Sequence, residues 1–125
     1  KSTIAKFKEE STLSLKIGNI GVDVNWRDND SITALKKLAK DGLTIEMHMY
    51  GGFEQVGSLG TSITSSDTRI TTTPGDIVLY SSNQIVIFYD SNTWAYTKLG
   101  HINLSKSELT DLLDDGDVTI TITLK

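Results

Sequence analysis

Residues 74–102 read PGDIVLYSSNQIVIFYDSNTWAYTKLGHI, three strands separated by two turns. Pro74-Gly75-Asp76 opens the stretch as a turn, because proline presets one backbone angle and glycine accepts the next. Residues 77–80 form a short strand, 81–83 a turn, and 84–89 a nearly continuous apolar strand. A strand with no polar alternate suits burial on both faces. After a turn at 90–93, residues 94–99 lead to Gly100, His101 and Ile102. Alternation puts Trp94 and Tyr96 on one face and sets Phe88 opposite Tyr89.

Beyond this block, Ser105 and Glu108 make an S-x-x-E capping box for a helix carrying Leu109, Leu112 and Leu113, which stops near Gly116. Val118, Ile120, Ile122 and Leu124 then alternate with Thr119, Thr121 and Thr123, the clearest strand in the chain. On the N-terminal side, residues 57–73 are rich in Gly, Ser and Thr without a sustained period and are expected to be a long excursion. Gly51-Gly52 breaks a strand in which Leu43, Ile45, Met47 and Met49 alternate with Thr44, Glu46, His48 and Tyr50. A helix precedes it, with caps at Asp28-Asn29-Asp30, apolar Ile32, Leu35, Leu38 and Ala39, and Gly42 expected at the C′ position. Gly18-Asn19 joins Leu13, Leu15 and Ile17 to a return strand carrying Ile20, Val22, Val24 and Trp26. Residues 1–11 read as a polar tether and 12–125 as one domain.

Composition removes several function classes. Net charge is -4, and the only arginines are Arg27 and Arg69, so nucleic-acid binding by phosphate neutralisation is not expected. The absence of cysteine excludes disulfides and thiolate chemistry. No apolar run reaches the roughly 18 residues that a membrane-spanning helix needs. The chain starts at Lys1 rather than Met and is read as trimmed or processed. With a signal segment removed before Lys1, the domain would be secreted or anchored to the cell envelope.

The order of elements across 12–125, together with GGFEQVGSLG (51–60) and the 74–102 block, resembles the bacterial cyclophilin-like proteins of unknown function. The resemblance implies a mainly β fold: a closed eight-stranded barrel with two short helices capping its ends. It also implies a groove. Counting back from Phe53, the position of the prolyl isomerase arginine holds His48. Phe53 matches the pocket phenylalanine, Gln55 lies one residue short of the glutamine, Phe88 is on the strand of the second phenylalanine, and Trp94 follows it. A neutral imidazole does not replace the guanidinium fork.

Other chemistry has little local support. His48 and His101, the two histidines, lack metal-ligand spacing, and neither a metal nor a cofactor is expected. Gly51, Gly52, Gly57 and Gly60 lack the Lys-Ser/Thr and the helix of a phosphate loop. Asp111, Asp114, Asp115 and Asp117 read as a solvated helix end. Glu46, Glu54 and Asp76 are acid–base candidates without a readable pairing. The expectation is a non-catalytic module that holds a peptide or small ligand with His48, Phe53, Gln55, Phe88 and Trp94. The alternative is a divergent prolyl isomerase or another enzyme using His48 or Glu46.

Overall fold

The computed structural model describes residues 12–125, so the tether expected at 1–11 lies outside the described residues. The elements run β1 (Leu13–Ile17), β2 (Ile20–Val22), β3 (Val24–Trp26), α1 (Asp30–Leu38), β4 (Leu43–Glu46), β5 (His48–Tyr50) and β6 (Glu54–Ser58). They continue with β7 (Thr68–Thr71), β8 (Asp76–Tyr80), β9 (Gln84–Phe88), β10 (Thr93–Ile102), α2 (Lys106–Leu113) and β11 (Thr119–Leu124). A four-stranded sheet has the order β2-β1-β11-β4, and a seven-stranded sheet the order β3-β10-β8-β9-β6-β5 with β7 added on β10. The fold is mainly β, as expected, but neither ladder closes on itself.

The difference arises at two bends. Residues 20–26 and 43–50 keep their side-chain alternation, yet each breaks at one residue, Asp23 or Met47, and passes from one sheet to the other. The backbone stays bonded at both breaks: Met47 N–H donates to Val118 O at 2.7 Å, and Asn103 N–H donates to Asp23 O at 2.9 Å. A bend of this kind leaves no mark in the apolar pattern, because alternation records the face of a residue and not its ladder partner.

The main core lies between the sheets. β1 gives Leu13, Leu15 and Ile17; β11 gives Ile120 and Ile122; the seven-stranded sheet gives Ile77, Leu79, Ile85, Ile87, Leu99 and Ile102. The terminal alternation is therefore one-sided burial: Ile17 pairs with Ile120 and Leu15 with Ile122, while the threonines turn outward. Helix α1 adds Ile32 and Leu35, and α2 adds Leu109 and Leu113. Asn29 caps α1 by accepting from Ile32 N–H at 2.9 Å. The C-cap is Ala39, three residues before the Gly42 expected to end the helix. The Ser105–Glu108 capping box of α2 is complete in both directions.

The 57–73 excursion is more ordered than its composition suggests. β10 is ten residues long and overhangs its sheet, so β7 pairs with the overhang, Ile70 against Trp94 and Thr68 against Tyr96. Ser31 Oγ donates to Thr64 O at 2.6 Å, Ser66 N–H donates to Thr97 Oγ1 at 2.8 Å, and Thr97 Oγ1 donates to Asp67 Oδ1 at 2.6 Å.

β6 crosses the β4–β5 bend at Gly57. A Cβ at Gly57 would sit 2.5 Å from Ile45 Cγ2, 2.5 Å from Met47 Sδ and 2.9 Å from Glu46 O. The last is backbone and cannot swing aside. Gly57→Ala should therefore destabilise the fold by about 2 kcal/mol, the usual scale of overpacking. Urea denaturation measures this, and an unchanged midpoint would show that the crossing is looser than the contacts require.

Candidate functional site

Strand register decides what faces away from the main core. His48 pairs with Val56 and Tyr50 with Glu54 across β5 and β6. Glu54 pairs with Phe88 and Val56 with Val86 across β6 and β9. Val78 pairs with Val86 and Tyr80 with Gln84 across β8 and β9. Directly paired residues share a face, so all of these occupy one outer face. There Val78, Val86, Phe88 and Tyr96 form a second buried cluster, with Phe53, Val56, Ile70 and Tyr80 packed against it.

Over this cluster lies a groove of about 740 Å³. β5 contributes His48, Met49 and Tyr50; the following turn and β6 contribute Phe53, Glu54, Val56, Gly57 and Ser58. Tyr80, Gln84, Asn92, Trp94 and Tyr96 complete the lining. Its rings are coupled: Phe53 stacks on Phe88 at 6.4 Å, Phe88 meets Tyr96 edge-on at 5.5 Å, and Tyr80 meets Tyr96 at 6.0 Å. Gly51 is required here, because a Cβ on it would run into the Phe53 ring. Among the described residues, the large apolar ones exposed to solvent are Ile20, Tyr50 and Trp94, and the two aromatic ones belong to this groove.

Of the five residues singled out in the sequence, His48, Phe53 and Trp94 line the groove. Phe88 lies fully buried beneath Phe53 and Tyr96. Gln55 takes no part in the lining. It pairs with Ile87, on the core face, and its side-chain amide donates to Leu113 O at 2.8 Å and Gly116 O at 2.9 Å. There it satisfies carbonyls left free at the end of α2. The Gly51-Gly52 turn sets this parity and puts the neighbouring Glu54 on the groove side.

Glu54 is the groove residue whose weight the sequence reading missed. It is 7% exposed and makes no hydrogen bond or ion pair among the described residues. Burial pushes its carboxyl from an ordinary 4.5 up to about 7. The Tyr96 phenol is also raised, by burial first and by the Glu54 charge, against the lowering effect of its bond from Asn92. At the rim, His48 Nδ1 lies 3.1 Å from Asp117 Oδ2, with both side chains mostly exposed. Asp117 also accepts from Met49 N–H at 3.0 Å, and that bond, followed by the one to His48, holds its carboxyl below the ordinary range.

The other candidates lie elsewhere. His101 Nδ1 sits 2.8 Å from Asp76 Oδ1, and Lys98 Nζ 3.1 Å from the same atom. Asp76 Oδ2 accepts from Thr73 N–H at 2.8 Å. Burial pushes Asp76 up, but the His101, Thr73 and Lys98 contacts outweigh it and the carboxyl ends below its ordinary value. Glu46 is exposed on β4. Among the described residues, no group of three or more His, Asp or Glu side chains could hold a metal ion, and no helix is long and apolar enough to cross a membrane.

The Glu54 shift has a sign in the stability. The folded chain keeps the Glu54 proton up to about 7, while an unfolded chain releases it near 4.5. The contribution of the neutral carboxyl is thus fully present below 4.5 and is lost as pH rises towards about 7. Because the carboxyl borders the open groove and water screens part of its charge, the loss is about 1–2 kcal/mol. Urea denaturation of the wild type and of Glu54→Gln across this window should show the difference in stability moving in favour of the glutamine variant as pH rises. Parallel curves for the two proteins would mean that Glu54 is solvated.

Comparison with known proteins places this arrangement. No curated protein matches the chain. A family model described as the cyclophilin-like family matches residues 15–123, both sheets and both helices included. With most of its length matched, the chain belongs to the cyclophilin-like family.

Proposed function

We propose that the chain is a binding module whose aromatic groove, on the outer face of the seven-stranded sheet, holds a small molecule or a peptide segment. The observation that carries the reading is the groove itself. It offers about 740 Å³ lined with aromatic rings over a packed floor, at a place where Tyr50 and Trp94 stay in solvent. Sites for small molecules are concave and mostly apolar with a few placed polar groups, and exposed aromatic patches on a folded domain mark contact surfaces.

The scaffold under the groove also favours this reading. Because 20–26 and 43–50 each serve both sheets, the two open ladders can be followed around as one circuit of eight chain segments. We infer that they act mechanically as a barrel bent at Asp23 and Met47, with a stiff wall beneath the ligand. A stiff wall favours binding because little freedom is lost when the ligand docks.

One observation favours an enzyme instead. At about 7, Glu54 exchanges its proton near neutral pH, as general acid–base catalysis requires. The prolyl isomerase version has no such support, since no arginine lines the groove.

An amide NMR titration with a fragment library and with Xaa-Pro peptides tests the proposal. Shifts should gather on Phe53, Glu54, Trp94 and Tyr96, and Phe53→Ala should weaken the best ligand about tenfold, as loss of an aromatic anchor does. Shifts that never gather there would remove the groove from the function. Acceleration of Xaa-Pro isomerisation by the wild type that His48→Ala or Phe53→Ala abolishes would make the protein an enzyme.

A further inference from the structure

The groove contains a carboxyl group with no partner of its own. Glu54 is more than nine-tenths buried, faces the groove and has no hydrogen-bond or ion-pair partner among the described residues. A carboxylate taken out of water is costly unless a positive charge or hydrogen-bond donors meet it. Among the described residues, the lining supplies no lysine or arginine. His48 is the one imidazole there, and its Nδ1 is already engaged by Asp117 at the rim. Asn92 is committed too, donating to Tyr96 Oη at 2.8 Å.

We propose that the groove is a receptor for an organic ammonium group, held with its charge over Glu54 and its alkyl substituents among the rings of Phe53, Trp94 and Tyr96. The inference rests on the reading of the groove as a ligand site and names the ligand's chemistry. Ring faces attract cations, and the attraction grows where water is excluded. An alkylated ammonium gives methyl groups to the rings and charge to the carboxylate at once. A guanidinium would need a fork of oriented acceptors, and among the described residues the lining offers Glu54 as its one buried carboxylate. The Asp117 carboxylate at the rim and the net charge of -4 give an approaching cation the right sign of field. The groove is also much larger than an ammonium head, which leaves room for an apolar body or a peptide stem.

The titratable groups around Glu54 are consistent with this. His48 and Tyr50 on β5, Tyr80 on β8 and Tyr96 on β10 share the groove, and Tyr89 beyond β9 also feels the Glu54 charge. Burial alone lifts Glu54 to about 7, so a bound cation should pull it back down and release a proton.

Calorimetry with choline against its neutral carbon analogue neohexanol tests the inference. A short peptide bearing trimethyllysine against its tert-butyl analogue separates a peptide source from a free amine. At mildly alkaline pH the cation of one pair should bind at least about tenfold more tightly than its neutral partner, a preference that charge and ring faces together supply. Glu54→Gln should erase that preference while keeping the affinity for the neutral partner. Trp94→Leu, on an exposed side chain, should weaken the cation about fivefold and the neutral partner less. In the wild type, a carboxyl-carbon NMR titration should show the Glu54 pKa falling on binding. Equal affinity for cation and neutral partner, or a preference that survives Glu54→Gln, would overturn the ammonium inference and leave the groove a ligand site. Absence of any groove shift with cations, neutral partners and fragments alike would overturn both.

Discussion

In the hairpin of β8 and β9, Ile77, Leu79, Ile85 and Ile87 face the core between the sheets, while Val78, Val86 and Phe88 face the other way. All seven side chains are at most 1% exposed. Double burial of this kind constrains everything around it. The core side has to be covered by the four-stranded sheet and by the two helices. The outer side has to be covered by something else, and the chain supplies rings: Phe53 from the Gly51-Gly52 turn and Tyr96 from β10 lie across Phe88. Where that cover ends, the groove begins. The binding surface and the core are thus two consequences of one strand pair with apolar residues on both faces.

The long β10 extends the same logic. Its first residues pass beyond the sheet and would be an unpaired edge if β7 did not take up their hydrogen bonds. That pairing holds Trp94 and Tyr96 beside the groove. The 57–73 excursion is therefore a structural part of the groove wall, tied down by Thr97, Ser31 and Ser82 rather than left as a free loop.

Much of this was legible in the sequence, for identifiable reasons. The threonine–isoleucine alternation at 118–124, the Gly18-Asn19 turn and the Ser105–Glu108 box are local signals, and each stands where its pattern put it. The apolar run at 84–89 announced burial on both faces, and Trp94 and Tyr96 were placed together by simple parity. Three features were not local. The bends at Asp23 and Met47 leave alternation intact. β7 exists because a distant strand overhangs its sheet. The faces of Glu54 and Gln55 depend on how many residues the glycine turn consumes, which only the ladder with Tyr50 and Phe88 fixes. The resemblance to cyclophilins favoured the glutamine of this pair, and the register turned it towards α2.

Two buried carboxylates show how differently one chain treats the same chemical group. Asp76 is 2% exposed and has three partners, the Thr73 amide, His101 and Lys98, each bond favouring its ionised form. Glu54 is nearly as buried and has none of these. A buried acid that served only to stabilise the fold would be provided for as Asp76 is, since an unpaired one lowers stability near neutral pH. Replacement of Glu54 by an apolar side chain would complete the outer cluster of Val86, Phe88 and Tyr96 at no electrostatic cost. The chain instead keeps a carboxyl among rings, facing an open groove, where its missing partner can arrive only from outside the described residues. That asymmetry links the packing of the β8–β9 hairpin to the proposed charge of the ligand: the double burial creates the apolar floor, and the buried carboxyl beside it would set the sign of what the groove attracts.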